Sequence, residues 1–338
     1  MVSIADVARH AGVSPTTVSH ALSGKRPVSA EAVARVKQAM KELGYVPSRS
    51  ARNLARGRTQ IIGLLIPDIA NGFFAELARG VEEIAMDKEY NVLLAITGWD
   101  HEREMRCLEM IQSRAVDGII YAAGAPPTES DLARVLGGIP VVLVDEDVPG
   151  VRVDSLVSDN HQGGQLAAMH LRDLGHAHAV VLTGPEGLES SNARVAGFLE
   201  VWEAAGLTAT VEKGDFTEAT GLAAVERHRT SFRDGAITAV FAANDLMALG
   251  ALDALRDAGI GVPDEVSVIG FDDIGAARYA RPRLTTVRQD VARLGRGAAT
   301  ALLERLTGLE TGDPRRSVIP VELKVRETTA ANRRTTGK

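Results

Sequence analysis

The sequence predicts an all-α helix-turn-helix head joined to an α/β body of two similar lobes. Three observations carry this. Apolar residues recur three and four apart in the opening stretch, and short apolar runs then alternate with amphipathic ones to about residue 329. Charge is also lopsided: residues 1–60 hold ten Lys/Arg against three acidic residues, a net +7 in a chain of −6, so the remainder carries −13. A cationic head on an anionic body suits a protein whose head alone meets a polyanion.

Ile4, Val7, Ala8 and Ala11 fall on one helical face. Gly12 sits where a helix ends in a left-handed residue, and Ser14 with Pro15 reads as an N-cap followed by a first-turn proline. A second short helix starts there, with Val18, Ala21 and Leu22 inward and Thr16, Thr17 and His20 outward. Ser29 caps a third run through Ala32, Val33, Val36, Met40 and Leu43 that would cover the first two. Helix, tight glycine turn, helix is the layout whose second helix enters a DNA major groove. The plainer alternative is a pair of short helices in any α-rich domain. Ser14, Thr16, Thr17, His20 and Arg26 are the candidate DNA contacts of this head.

In Tyr45 to Ala55, Pro47 with Ser48 or Ser50 can start a helix. Ala51, Leu54 and Ala55 share one side of it, with Arg49, Arg52 and Arg56 around it. Isolated helices need about 12 to 15 residues in water, so this one should fold only when something holds it. Leu54 could then serve as an apolar wedge in a minor groove, where unstacking a step costs roughly a few kcal/mol. Composition alone favours an ordinary linker leucine.

Candidate strands follow at 61–67, 91–97, 117–123, 139–145, 178–184, 239–244 and 266–272. Helical segments lie near 74–88, 102–114, 129–136, 161–174, 191–205, 218–232 and 246–258; a last helix spans about 290–307, and SVIPVELKVRETT supplies a last strand. Such alternation reads as βαβ units and parallel sheets covered on both faces. Fifteen or more elements exceed one compact sheet, hence two lobes. Side chains at strand carboxyl ends reach the crevice of such folds: Asp68, Asp145, Asp159, Asn244 with Asp245, and Asp272 with Asp273. Converging carboxylates and amides suit a neutral polyhydroxylated ligand, because an analogue lacking a hydroxyl leaves a buried acceptor unpaired at about 1 to 3 kcal/mol. The alternative for each is a helix N-cap, the role assigned to Asp245 and Asp273.

With 338 residues, 45% apolar content and 24% charge, the chain has the composition of a soluble protein of two or three domains. No segment approaches 18 uninterrupted apolar residues and the N-terminus lacks an apolar signal core, so a cytoplasmic protein without membrane contact is expected. Cys107 stands alone in a helical EMRCLEMI and reads as a buried structural thiol. There is no GxSxG elbow, Walker loop or HExxH, and the eight histidines lack metal-ligand spacing; His176 and His178 read as surface groups. No enzyme, cofactor or metal site is expected. A transport-type solute-binding protein would share the lobes but carry a signal peptide and no basic head.

The stretch IADVARHAGVSPTTVSHALSG, the helix through KELGY, and VPSRSARNLARGRTQIIGLLIPDIANGFF together resemble the lac repressor family of bacterial transcription regulators, and the likeness continues to about Thr329. The resemblance implies a head over 1–46, a hinge helix and linker over 47–60, and a type I periplasmic-binding-protein-like body over 61–329. Its N-lobe would span about 61–159 and 289–318, its C-lobe 160–288 and 319–329, with a disordered tail from 330 to 338. Three chain crossings would join the lobes. Leu54 would enter the minor groove at the operator centre, with Arg49 and Arg52 beside it.

By the same resemblance, Arg194 in SSNARVAGF grips an effector, joined by Asn244, Asp272 and Gln289. Phe73 or Phe74, Phe216 and Asp145 would wall the pocket, with the alternative that one of Phe73 and Phe74 is core. The head and the Phe74/Phe216 pair are most similar to the purine repressor branch, but Leu188 stands where that branch has a purine-reading arginine. A sugar effector is therefore favoured, with a purine or nucleoside as the alternative. Pro15 also departs from the family's usual base-reading residue; proline donates no hydrogen bond, so base reading falls on Thr16 and His20. The resemblance thus implies a repressor acting as a homodimer on near-palindromic operator DNA. The tail lacks heptads, and effector binding is expected to move DNA affinity in either direction.

Overall fold

The computed structural model describes residues 2–23, 26–45, 58–113, 116–125, 138–148 and 150–332. The expected hinge helix, with Arg49, Arg52 and Leu54, and the expected helix at 129–136 lie outside the described residues.

In the head, α1 spans Ile4–Ala11, α2 Pro15–Ser23 and α3 Ala30–Leu43. Ser3 and Asp6 form a reciprocal capping box at the start of α1, and Gly12 ends it at φ 64°, in the left-handed region where glycine carries no steric penalty. The Ser14 Oγ accepts from the Thr17 amide at 3.0 Å, closing the first turn of α2. Ser29 caps α3 through the Ala32 amide. Val7, Ala8, Ala11, Val18, Val36 and Ala39 form the small buried core, with Ala21, Leu22, Met40 and Leu43 packed on it.

Among the described residues the body forms two six-stranded sheets. The first is built from β1 (Ile61–Ile66), β2 (Asn91–Ile96), β3 (Gly118–Tyr121), β4 (Val141–Val144), β5 (Asp154–Ser158) and β11 (Arg316–Ile319), in the order β11-β5-β4-β3-β1-β2. The second holds β6 (His178–Leu182), β7 (Thr208–Glu212), β8 (Ala239–Ala242), β9 (Ser267–Asp272), β10 (Thr285–Arg288) and β12 (Glu322–Lys324), in the order β12-β10-β9-β8-β6-β7. Both sheets thus follow a 2-1-3-4-5 winding with a late sixth strand added at one edge. Neighbours β3–β4–β5–β11 and β7–β6–β8–β9–β10 run parallel, whereas β12 is antiparallel to β10.

The first sheet is flanked by α4 (Gly72–Asp87), α5 (His101–Gln112) and α12 (Val291–Thr307). The second is flanked by α6 (Asn160–Asp173), α7 (Glu189–Ala204), α8 (Glu218–Arg227), the short α9 (Arg229–Arg233), α10 (Asp245–Asp257) and the short α11 (Gly275–Tyr279). The chain passes between the sheets after β5, after β10 and between β11 and β12. Helices α6 and α7 approach closely: a Cβ at Gly164 would stand 1.9 Å from the Arg194 carbonyl oxygen, and one at Gly197 2.0 Å from that of His161.

Several expectations are corrected. β5, β7 and β10 were not foreseen, and the last apolar stretch is two strands, one per sheet. The helix expected over 218–232 breaks at His228 into α8 and α9. His176 is not a surface group: it is 3% exposed and its ring nitrogens meet the Thr238 hydroxyl at 2.9 Å and the Ala330 carbonyl at 3.2 Å. The beginning of the expected disordered tail is accordingly pinned, the Asn332 amide donating to the Leu174 carbonyl. Cys107 is half-buried.

Candidate functional site

Strand ends of both sheets meet around one small cavity. Asn71, Phe73, Phe74, Trp99, Ala123, Asp145 and Glu146 line it from the first lobe; Leu188, Ser190, Arg194, Phe216, Asn244 and Asp272 do so from the second. Its volume is about 20 Å³, little more than the roughly 10–15 Å³ one water requires on the same measure. At this point the two lobes lie close together and leave less room than an organic ligand needs.

Arg194, 3% exposed on α7, is the single lining cation among the described residues. Its Nε donates to Asn160 Oδ1 at 2.8 Å and its Nη1 to the Ala243 carbonyl at 2.7 Å. The guanidinium carbon lies 4.1 Å from the Phe271 ring centroid, close enough for cation–π attraction. Asp272 and Asp145 face it at 3.5 and 3.9 Å. Burial pushes the Asp272 carboxyl up to about 7 against the pull of Arg194, and burial likewise raises Asp145. Among the described residues the buried Asp145 Oδ1 has no hydrogen-bond partner, an acceptor that a ligand hydroxyl would satisfy.

Backbone strain gathers here. Among the described residues, Trp99 (φ 59°), Asp145 (72°), Phe216 (66°) and Asp272 (112°) all line the cavity with positive φ, and Asp273 (60°) is adjacent. Such residues cost on the order of 1 to 3 kcal/mol each and persist where surrounding structure holds them, typically at binding sites.

Both Phe73 and Phe74 line the cavity, their rings 5.0 Å apart at 88°. Phe216 reaches it from the other lobe. Asn244 lines it too, but its amide is engaged: Oδ1 caps α10 at the Met247 amide and Nδ2 donates to the Phe216 carbonyl at 2.9 Å. Asn244, not Asp245, is therefore the N-cap. Asp245 is fully buried, accepting from the Ile274 amide and the Thr286 hydroxyl at 2.9 and 2.6 Å. Asp273 is no cap either; it pairs with Arg278 and Arg326. Gln289 does not line the cavity: its Nε2 donates to Asp272 Oδ1 at 2.7 Å, fixing that carboxylate from behind. Asp159 caps α6 through the Gln162 amide, and Asp68 accepts from the Ala70 amide.

Sequence reasoning missed Trp99 and Glu146. Glu146 is 4% exposed and its carboxyl group accepts from both the amide and the hydroxyl of Ser190. Leu188, the residue before α7, offers that helix no side-chain cap, so a carboxyl group from the opposite lobe does so. Burial, with the neighbouring Asp145 charge, pushes Glu146 up to about 8. The acidic run Asp145-Glu146-Asp147 after β4 was the available signal.

In the head, Ser14 and Thr16 are exposed, and Thr17 and His20 are half-buried rather than pointing freely outward. The hydroxyls of Ser14 and Thr17 lie 2.9 Å apart. Arg26 is exposed between α2 and α3. Among the described residues no cluster of His, Cys, Asp or Glu could hold a metal ion, and no helix is long and apolar enough to cross a membrane.

Comparison with known proteins identifies the family of the chain. Residues 3–48 match the model for bacterial regulatory proteins of the lacI family, and residues 168–329 match a periplasmic binding protein-like domain. The chain is 36% identical to the HTH-type transcriptional repressor PurR of Haemophilus influenzae, over 97% of this chain and 98% of that protein. It is 38% identical to the ribose operon repressor of Halalkalibacterium halodurans, over 97% of each. The structure of the lac repressor dimer bound to operator and the anti-inducer ONPF superimposes with a TM-score of 0.83 at 28% identity, covering 98% of this chain and 99% of that one. The chain belongs to the lacI family of bacterial regulatory proteins: it is a DNA-binding transcription regulator and not an enzyme.

Proposed function

We propose that this protein is a dimeric, cytoplasmic repressor whose head, over 1–46, reads near-palindromic operator DNA. A sugar bound between the lobes of 61–329 controls its affinity. In the head, Thr16 and His20 read bases while Ser14, Thr17 and Arg26 position the helix on the backbone. Arg49, Arg52 and Leu54 in the 47–60 linker complete the grip. In the body, Arg194, Asp145 and Asp272 hydrogen-bond the sugar hydroxyls, Phe73, Phe74 and Phe216 cover its apolar face, and Asn244 and Gln289 hold Phe216 and Asp272 in place.

One observation carries the effector assignment: the Asp145 Oδ1, without a hydrogen bond among the described residues, in a small cavity with Arg194 and Asp272. That set offers donors and acceptors in close alternation, as a polyol requires. A purine is the second reading, favoured by the resemblance of the head and the Phe74/Phe216 pair to the purine repressor branch. Leu188, buried in the wall, gives a purine edge no donor.

A thermal-shift screen of pentoses, hexoses, disaccharides and purine bases tests the reading. A true ligand at a hundredfold excess over Kd stabilises by about 2.7 kcal/mol. A sugar is expected to raise the melting temperature of the intact chain, and Arg194→Ala to abolish that rise while preserving the circular dichroism spectrum. A purine base as the stabilising compound would reverse the assignment.

A further inference from the structure

We propose that Trp99 contacts the effector and selects closed-ring sugars over open-chain polyols, an inference that rests on the sugar reading above. The indole is placed deliberately by the backbone. Gly98 and Trp99 are consecutive left-handed residues, at φ 72° and 59°. The turn they make is anchored on both sides: Thr97 and Gly98 donate their amides to the Ile66 and Pro67 carbonyls at 3.0 and 2.8 Å, and Asp100 caps α5 through the Arg103 amide at 2.7 Å. A glycine or asparagine would take this conformation with less strain; the strain at a tryptophan is held there by its surroundings.

The ring so placed bridges the lobes. Its centroid lies 5.9 Å from that of Phe74 in its own lobe and 5.8 Å from that of Phe216 in the other, tilted at 66° and 55°. Phe216 is itself left-handed and seated over Gly184, where a Cβ would stand 2.2 Å from its ring. Two strained residues from opposite lobes thus hold aromatic rings against each other over a cavity too small for any sugar. A ligand that fills this cavity must part them, which frees aromatic surface on both sides.

A cyclic sugar has what such surfaces need. Its axial C–H bonds make one rigid apolar face, which packs on an aromatic ring, while its hydroxyl edge turns to Arg194, Asp145 and Asp272. An open-chain alditol keeps the sugar's hydroxyls and gains one in place of the ring oxygen, but it has no fixed apolar face and must lose rotational freedom to imitate one.

The protein supplies its own reporter. Its only other tryptophan, Trp202, is fully buried in the second lobe, stacked 5.0 Å from Phe198 with its indole N–H donated to the Thr208 carbonyl at 2.8 Å. The test is calorimetry and intrinsic fluorescence on the full chain with D-ribose, D-xylose and D-glucose beside ribitol, xylitol and D-glucitol. The ring sugar that raises the melting temperature is expected to change wild-type emission and to bind at least about tenfold tighter than its alditol. Trp99→Phe should retain most affinity but lose the emission change; Trp99→Ala should lose about tenfold for the ring sugar and bring the two affinities together. Unchanged sugar affinity in Trp99→Ala, or an alditol equal to its parent sugar in the wild type, overturns the proposal. If no sugar of either kind binds, the sugar reading itself fails and takes this inference with it.

Discussion

Buried carboxyl groups give this protein its most readable pH behaviour. Glu104 on α5 is fully enclosed, with one oxygen accepting from the Gly124 amide at 2.9 Å. Burial pushes it from 4.5 up to about 7. A carboxyl raised in the folded state favours folding below its unfolded value, and that contribution is lost as pH rises through the folded one. Stability should therefore fall between about pH 4.5 and 7 on account of Glu104, by up to about 3 kcal/mol. Glu104→Gln should flatten that fall in urea titrations across the range, and parallel curves for variant and wild type would refute it. In the head, replacing His20 should alter base preference at one position per half-site, as selection from a randomised duplex pool would reveal. Arg194, Asp145 and Asp272 were legible because they stand at strand ends or in a family motif. Trp99 and Glu146 were not, because their importance arises only where one lobe meets the other. Gln289 was assigned to the ligand, and the structure sets it behind Asp272.

At the scale of elements, α7 carries both halves of the site's chemistry: Arg194 along its length and Ser190 at its start. Its seating depends on glycine. Gly164→Ala would push a methyl into the Arg194 carbonyl, so it should destabilise by about 3 kcal/mol in urea unfolding and weaken effector binding with it. Glu146→Ala should leave the start of α7 uncapped, at about 1 kcal/mol, and a variant as stable as the wild type would show that water replaces the cap fully. The elements missed from sequence share a physical cause. β5 (DSLVS) and β10 (TTVR) are buried yet polar, because Asp154 binds Arg305 while Thr286 binds Asp245, so neither shows an apolar run. β7 (TATVE) is an exposed edge strand with weak alternation. By contrast, β1, β4 and β9 are buried along nearly their whole length and announce themselves as apolar runs.

On the scale of the molecule, two sheets of the same winding meet through three chain passages, and the proposed effector cavity lies where their strand ends converge. If the lobes exchange between apart and together, a ligand shifts their balance only by its differential affinity for the two arrangements. Coupling between two sites of this kind is typically 1 to 3 kcal/mol, a factor of about 5 to 150. The central claim is that sugar bound between the lobes changes the grip of the head on duplex DNA. It is tested most directly by anisotropy titration of the intact chain against a labelled duplex selected from a randomised pool, at fixed modest ionic strength, with and without the sugar that raises its melting temperature. The account predicts at least about a tenfold change in duplex Kd, abolished in Arg194→Ala, whose sugar-free Kd stays that of the wild type. An identical Kd with and without a saturating amount of that sugar would contradict it.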